Sequence, residues 1–208
     1  MLGRLWLSRR LYTKARKLAE RMEQARPTDP AGFLLRSRAE ELLGHSGRAM
    51  RAAQKAARLA GNNPRVLRRF AETLLAYGKA GSAAQVAGRA LALQPDSAWT
   101  LVILGDALWS RRRYAQAAEA YRKAASLGRD GRGFQAMALD RLGTLYQKRR
   151  KPALARQTLA RCRREFPKLG CPFTEAGFMR PDPTRPERGE TYAIPRGQKR
   201  RMQMGGEM

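Results

Sequence analysis

The sequence is poor in the residue types that carry most enzyme and metal chemistry. Its 208 residues include one histidine, His45, and two cysteines, Cys162 and Cys171. His45 lies in a predicted turn with no nearby nucleophile or second base, so general base catalysis has no obvious candidate. One histidine and two cysteines at distant positions do not supply the four ligands of a zinc site. We predict that the protein is not an enzyme and takes no metal or cofactor.

Long apolar segments and secretory signals are also missing. No run approaches the roughly 18 apolar residues of a membrane-spanning helix, and the apolar residues 5–7 are too few for a secretory signal. We therefore expect two reduced thiols, with a disulfide between them as the alternative. Reduced thiols are consistent with the cytoplasm, so we expect a cytoplasmic location. An arginine-rich N-terminus with no acidic residue before Glu20 leaves the mitochondrial matrix as the alternative.

Acidic residues are scarce relative to basic ones. The chain has 17 Asp and Glu against 43 Lys and Arg, a net charge of +26, and 34 of the basic residues are arginine. The planar guanidinium group binds phosphate and carboxylate in bidentate fashion, so this charge predicts an anionic partner. A GC-rich coding sequence would also raise the arginine content, but it does not account for the size of the net charge.

Small residues recur along the sequence at a period of about 34 residues. Gly105 stands inside a helical pattern, where glycine costs about 1 kcal/mol relative to alanine. We predict that each repeat holds two closely crossing helices, and that the second helix of its own unit packs against Gly105. The first small-residue column contains Ala15, Ala49, Ala83 and Ala117, and the second contains Met22, Ala56, Ala90 and Ala124.

These columns resemble the tetratricopeptide repeat (TPR), a helix–turn–helix unit of about 34 residues. The resemblance implies an all-α fold, a right-handed superhelical solenoid of about four to five helix pairs. Residues 98–131 match best, through Leu101, Leu104, Gly105, Leu108, Tyr114, Ala117, Tyr121 and Ala124.

The repeat divides the chain into six parts. We expect a proline at the end of a unit to separate neighbours, and an insertion of four residues around 128–133 to interrupt the register. The proline-rich C-terminus cannot continue a helix and is too polar for its own core. The expected parts are a truncated first repeat at 1–29, a degenerate repeat at 30–63, repeats at 64–97, 98–135 and 136–169, and an extended or disordered basic tail at 170–208.

The degenerate repeat departs from the family pattern. Arg36, Ser37 and Glu40 occupy columns that should be apolar. An apolar stripe lies two residues later, so we expect a first helix shifted by a shortened turn at 44–47. The stripe consists of Leu35, Ala39, Leu42 and Leu43.

The resemblance places the first helix of each unit along a concave groove. Trp99 and Trp109 lie in columns that usually face this groove, with a buried structural role as the alternative for each. Aromatic anchors flanked by guanidinium groups suit a peptide or helix with apolar and acidic residues. Glu72 replaces an asparagine with which some family members bind chaperone C-termini, so we do not transfer that activity. The other groove residues predicted are Arg65, Arg68, Glu72, Asp140, Thr144 and Gln147.

A second candidate surface lies on the outward face of the second helices. One column there is basic in five units, and arginine clusters in the turns at 111–113 and 149–151 add to its charge. The family commonly carries lysine in this column, so a merely solvated position is the simpler interpretation. Together these residues predict a cationic convex strip. The column contains Arg21, Lys55, Arg89, Lys123 and Arg161.

These features predict a non-enzymatic adaptor that holds a larger assembly together by binding acidic, or acidic and apolar, protein segments. The alternative is a ribosome- or RNA-associated factor that binds the phosphate backbone through the convex strip. Aromatic residues are not interleaved with the strip, so RNA binding would have little sequence specificity. A peripheral factor on an anionic membrane is a third candidate, without an amphipathic anchor to support it.

Overall fold

A computed structural model describes residues 11–127 and 132–167, which form nine helices and no strand. The second helix of each unit follows the first after a short turn. α1 is the second helix of a unit whose predicted first half falls in residues 1–10, outside the described residues, as does the predicted tail at 170–208. The helices are α1 (Tyr12–Ala25), α2 (Pro30–Leu42), α3 (Ser46–Leu59), α4 (Pro64–Ala76), α5 (Ala80–Leu93), α6 (Ala98–Ser110), α7 (Tyr114–Ser126), α8 (Arg132–Lys148) and α9 (Pro152–Glu165).

Three of the first helices begin at a capping side chain that recurs once per unit. Asp29 accepts a hydrogen bond from the backbone N–H two residues on at 2.9 Å, and Asn63 does the same at 3.0 Å. Ser97 accepts one from the N–H three residues on at 3.3 Å. These side chains satisfy N-terminal donors that have no partner within the helix. As a result α2, α4 and α6 start at the same point of each repeat and contain 13 residues each.

Small residues let the two helices of each unit cross closely. A Cβ on Gly105 would lie within 2.9 Å of three ring carbons of Tyr121 in α7. A Cβ on Gly143 in α8 would lie 2.6 Å from Leu159 Cδ2 in α9. The predicted reason for Gly105 is confirmed, because the second helix of its own unit fills the space of the missing side chain. The alanines of the first column, and Ala155 at the corresponding place after the four-residue insertion, are at most 1% exposed. The column alanines are Ala15, Ala49, Ala83 and Ala117.

Contacts between units separate the helices into two layers. α2 contacts α4, α4 contacts α6, and α6 contacts α8. Within the described ranges, no second helix contacts the second helix of the next unit. Every contact between neighbouring units therefore involves a first helix. A solenoid curves toward the layer in which the helices of successive units are in contact with each other, so the first helices line the concave side and the second helices form the convex side.

The degenerate repeat is not shifted, and the expectation of a shifted helix is wrong. α2 begins one repeat period before α4, at Pro30 and Pro64 respectively. It buries Ser37, Glu40 and Glu41 to at most 2% exposure. Apolar spacing indicated the wrong face because Glu41 pairs with arginines and Glu40 hydrogen-bonds with His45, which a hydrophobic pattern does not reveal. Of the expected apolar stripe, three residues are only half-buried, namely Leu35, Leu42 and Leu43.

The four-residue insertion lengthens a helix. We expected the last unit to begin at 136, but α8 begins at Arg132 and contains 17 residues, four more than α2, α4 or α6. Four residues are about one turn of α-helix. The insertion therefore extends α8 by one turn and brings Phe134 into the helix.

One residue in the turn between the two helices of each unit has a positive φ angle. Gly44 and Gly78 hold this position in the first two complete units, with φ of 83° and 73°. Arg112 and Arg150 hold it in the next two, with φ of 60° and 53°. A left-handed conformation costs a residue with a Cβ roughly 1–2 kcal/mol. Two turns thus carry arginine where glycine fits with less strain.

Cys162 is disulfide-bonded, so the expectation of two reduced thiols is wrong. The only other cysteine in the sequence, Cys171, lies outside the described residues. Cys162 is fully buried in the α8–α9 core. The redox argument for a cytoplasmic location therefore does not hold.

We expect Gly105→Ala to destabilise the protein by about 1–3 kcal/mol, because the new methyl group overlaps the Tyr121 ring in a packed core. Gly88→Ala is the matched control. It also lies within a helix, a Cβ there would meet nothing within 4 Å, and it should stabilise by up to about 1 kcal/mol. Urea unfolding followed by circular dichroism measures both changes. Equal midpoints for the two variants would contradict the close crossing.

Candidate functional site

Three side chains from consecutive first helices stack on the concave side. The Arg68 guanidinium carbon of α4 lies 4.3 Å from the ring centroid of Trp99 in α6. The Trp99 ring stacks on Phe134 of α8, with centroids 4.8 Å apart and planes 9° from parallel. Cation–π and stacking contacts of this kind are favourable and directional. They fix the side chains of three units in one arrangement before any partner binds.

Arg68 is the part of this stack with unused hydrogen-bonding capacity. Burial lowers the pKa of its guanidinium, and the nearby Glu72 carboxylate opposes that effect. Its Nε is buried and has no acceptor within the residues that the structure describes. A buried donor without a partner is costly. A hydrogen-bond acceptor on a bound partner would therefore pair with the Arg68 Nε donor, and this contact would favour binding.

Two of the predicted groove residues are buried instead. Trp109 is 1% exposed and packs edge-on against Tyr121, with ring centroids 6.4 Å apart. Asp140 is also 1% exposed. Neither side chain is accessible to a partner in this arrangement, so their placement on the groove surface was wrong. For Trp109 the structural alternative holds.

The remaining predicted groove residues divide by exposure. Arg65 and Gln147 are exposed, and Thr144 is half-buried. Glu72 accepts a hydrogen bond from Arg69 Nη1 at 2.6 Å, so its charge is compensated within α4. Phe134 was missed because it precedes the expected start of its unit. The only signal that could have found it was the length of the insertion, since four residues add one turn to a helix.

Ion pairs connect neighbouring units along the concave layer. Glu41 of α2 is 2% exposed and pairs with Arg69 of α4, and also with Arg38 at 3.1 Å. Burial lowers the pKa of Arg69, but the Glu41 and Glu72 carboxylates outweigh it and the net shift is upward. Asp106 of α6 likewise pairs with Arg141 of α8 at 3.2 Å. The charges of the degenerate repeat therefore join it to the next unit.

The basic column lies on the convex side as placed. Its five members are exposed and each belongs to a second helix. Lys55 Nζ lies 4.5 Å from the ring centroid of Phe33, and Arg161 Nε pairs with Glu165 at 2.7 Å. What this column binds stays a prediction. The members are Arg21, Lys55, Arg89, Lys123 and Arg161.

Two other kinds of site are absent from residues 11–127 and 132–167. These residues contain no group of three or more potential metal-ligating side chains. They also contain no helix with the length and apolar character needed to cross a membrane.

We expect Arg69→Met to lower stability by about 3–5 kcal/mol, because it leaves the buried Glu41 carboxylate without its main partner. Arg38→Met removes the other, more exposed partner and should cost about 1 kcal/mol or less. Urea unfolding of both variants measures the difference. Similar losses would show that Arg38 and Arg69 share the Glu41 charge equally.

Comparison with known proteins shows similarity in structure. No family model and no curated protein matches the sequence. Solved structures do match. PilF of Pseudomonas aeruginosa superposes with a TM-score of 0.69 at 22% identity over 81% of this chain and 73% of its own. MamA (residues 41 to the end) of Desulfovibrio magneticus RS-1 gives 0.67 at 20% identity over 79% and 90%.

A third structure names the repeat directly. TTC0263, described as a thermophilic TPR protein of Thermus thermophilus, superposes with a TM-score of 0.67 at 18% identity over 80% of this chain and 89% of its own. All three neighbours are TPR proteins. Together with the repeating helix pairs, they show that this chain has the fold of the tetratricopeptide-repeat solenoids.

Proposed function

We propose that the protein is a non-enzymatic adaptor that binds a segment of a protein partner in its concave groove. The observation that carries the proposal is the preformed stack of Arg68, Trp99 and Phe134 across three first helices. A surface that is already ordered loses little conformational entropy on binding. The structural neighbours have the same fold, for which protein–protein interaction is typical, and this supports protein binding in general terms.

The chemistry of the groove favours an acidic and partly apolar segment. Arg65 is exposed, and Arg68 Nε has no acceptor within the described part of the chain. Glu72 does not repel an acidic ligand strongly, because Arg69, which also pairs with Glu41, donates to it and the Arg68 guanidinium lies nearby. Arg68 and Phe134 both lie against the Trp99 ring, so a partner would contact the part of the ring that they leave uncovered. We propose that a carboxylate binds the arginines and an apolar side chain packs against the uncovered part of the ring.

The second candidate is RNA backbone binding, favoured by the exposed basic column. Phosphate contacts from lysine and arginine provide affinity that falls steeply with salt and depends little on sequence. RNA binding needs the convex side, whereas adaptor binding needs the concave side. The two candidates are therefore separable by surface mutations.

The test compares two double variants that remove the same charge. Affinity capture with and without nuclease first identifies a partner, which is then purified. If the groove binds it, Arg65→Gln with Arg68→Gln should weaken binding by about tenfold or more, a loss of about 1.4 kcal/mol or more. Arg89→Gln with Lys123→Gln on the convex side should mainly slow association. Trp99 is left in place so that the Phe134 stack survives.

RNA binding predicts the opposite ranking. The convex variant would then bind all sequences more weakly to the same degree, and its salt slope would fall by up to about 0.7–0.9 for each phosphate that is no longer bound. The groove variant would bind almost normally. Measurement of both variants at two salt concentrations decides between the candidates. Normal binding by both variants would refute both proposals.

A further inference from the structure

A cavity of about 260 Å³ opens between α1 and α3 on the convex side. We call it the α1–α3 crevice. The Phe33 ring, 4% exposed, contributes to its lining from α2. Four of its lining side chains are cationic and one is acidic, which gives a local net charge of +3. The residues that matter here are Glu23, Phe33, Arg36, Arg48, Arg51 and Lys55.

The same crevice recurs one unit later with a local net charge of +2, from Arg58 and Arg89 and no acidic residue. Between α3 and α5 a cavity of about 410 Å³ is lined in part by residues at the corresponding positions of the next repeat. Leu67 replaces Phe33, Phe70 replaces Arg36, and Arg89 replaces Lys55. Ser82 and Gln85 stand at the positions of Arg48 and Arg51. The fold therefore forms this crevice without the three arginines, and they are a property of the α1–α3 crevice itself.

The cations of the α1–α3 crevice are only partly used within the protein. Arg36 Nη1 donates to Glu23 Oε2 at 2.9 Å, and Lys55 lies over the Phe33 ring. Arg48 and Arg51 are exposed and have no ion-pair partner within the described residues. Two guanidinium groups on successive turns of α3 thus face a cavity with their charge uncompensated.

We propose that the α1–α3 crevice binds the phosphate of a phosphorylated side chain on a protein partner. A phosphomonoester carries about −1.5 to −2 charge at pH 7, which matches a +3 crevice better than a single carboxylate does. Guanidinium groups bind phosphate oxygens in bidentate fashion. The second oxygen of Glu23 is buried without a donor among the described residues, and a backbone N–H beside the phosphate would supply one.

A nucleic acid fits this crevice less well. An RNA strand presents one monoanionic phosphate per nucleotide and needs a continuing track of cations. The next crevice has Phe70 where this one has Arg36, and the next two units have neutral or acidic residues at the Arg51 position, Gln85 and Glu119. The three arginines that the next unit lacks, Arg36, Arg48 and Arg51, concentrate additional charge at one point, which suits one dianionic group. The crevice lies on the convex side, so its binding does not depend on the concave groove.

The test uses the variant Arg48→Ser with Arg51→Gln, which introduces the residues found at the same positions of the next unit. The probe is the peptide acetyl-Ala-Ala-phosphoserine-Ala-Ala-amide, titrated into the full chain by NMR with the arginine Nε–H signals observed. The dissociation constant should rise about tenfold or more in this variant, as expected for the loss of charge-assisted hydrogen bonds. Thermal unfolding by circular dichroism should be unchanged.

Two controls make the result specific. Arg89→Gln with Lys123→Gln removes the same charge from the convex side and should leave phosphopeptide binding unchanged. Arg65→Gln with Arg68→Gln in the concave groove should also leave it unchanged, so the outcome is independent of the adaptor proposal. Equal weakening by the α1–α3 crevice and convex variants would overturn the site, because it would indicate general charge attraction.

Four further probes distinguish the source of the anion. The serine and glutamate versions of the peptide should bind much more weakly than the phosphoserine version. Equal binding of the glutamate peptide would overturn a phosphate site. Equal binding of inorganic phosphate would show a bare anion site and overturn recognition of a phosphorylated partner. The fourth probe is a twelve-nucleotide uridine RNA. If its binding is weakened by the Arg48 and Arg51 substitutions and phosphopeptide binding is not, the crevice binds nucleic acid instead.

Discussion

The close crossing of the two helices in each unit is the constraint on which the rest of the structure depends. Because Gly105 has no side chain, the Tyr121 ring lies against the backbone of α6, and its hydroxyl donates to Asp106 at 2.6 Å. Asp106 in turn pairs with Arg141 of the next unit. One missing Cβ thus allows a contact within a unit and a contact between units. The spacing that results brings the first helices together and leaves crevices between the second helices.

The surface is more cationic than the composition of the sequence indicates. Among the acidic residues that the structure describes, only Asp96 and Glu119 are largely exposed. The others lie at least partly buried, and several of them pair with arginine between or within first helices. Acidic residues on the first helices pair with arginines between and within units, and the exposed charged residues of the second helices are mostly basic. An anionic partner would therefore meet little repulsion there.

The repeat period and the role of Gly105 could be predicted from the sequence because they depend on contacts within a unit. The contacts between units could not. Glu41 and Arg69 lie in different units, on α2 and α4, and nothing in their local sequence indicates that they pair. The face of α2 was misjudged for this reason, since an unpaired glutamate would not be buried. Trp109 shows the same limit, because its burial depends on the first helix of the next unit. Phe134 was missed for a different reason, since the insertion lengthens α8.

The turns between helices show that arginine stands at a conformationally unfavourable position in two units. Gly44 and Gly78 make this turn without a Cβ, so Arg112 and Arg150 are not required by the backbone. Both side chains are exposed, so burial does not offset the strain. Backbone strain of this kind concentrates at functional sites. The arginine-rich turns extend the convex charge along one edge, where it would attract an anionic partner from a distance and lose that effect as salt rises. Such attraction selects for charge alone, whereas the shaped contacts of the groove and the α1–α3 crevice discriminate among the partners that it brings in.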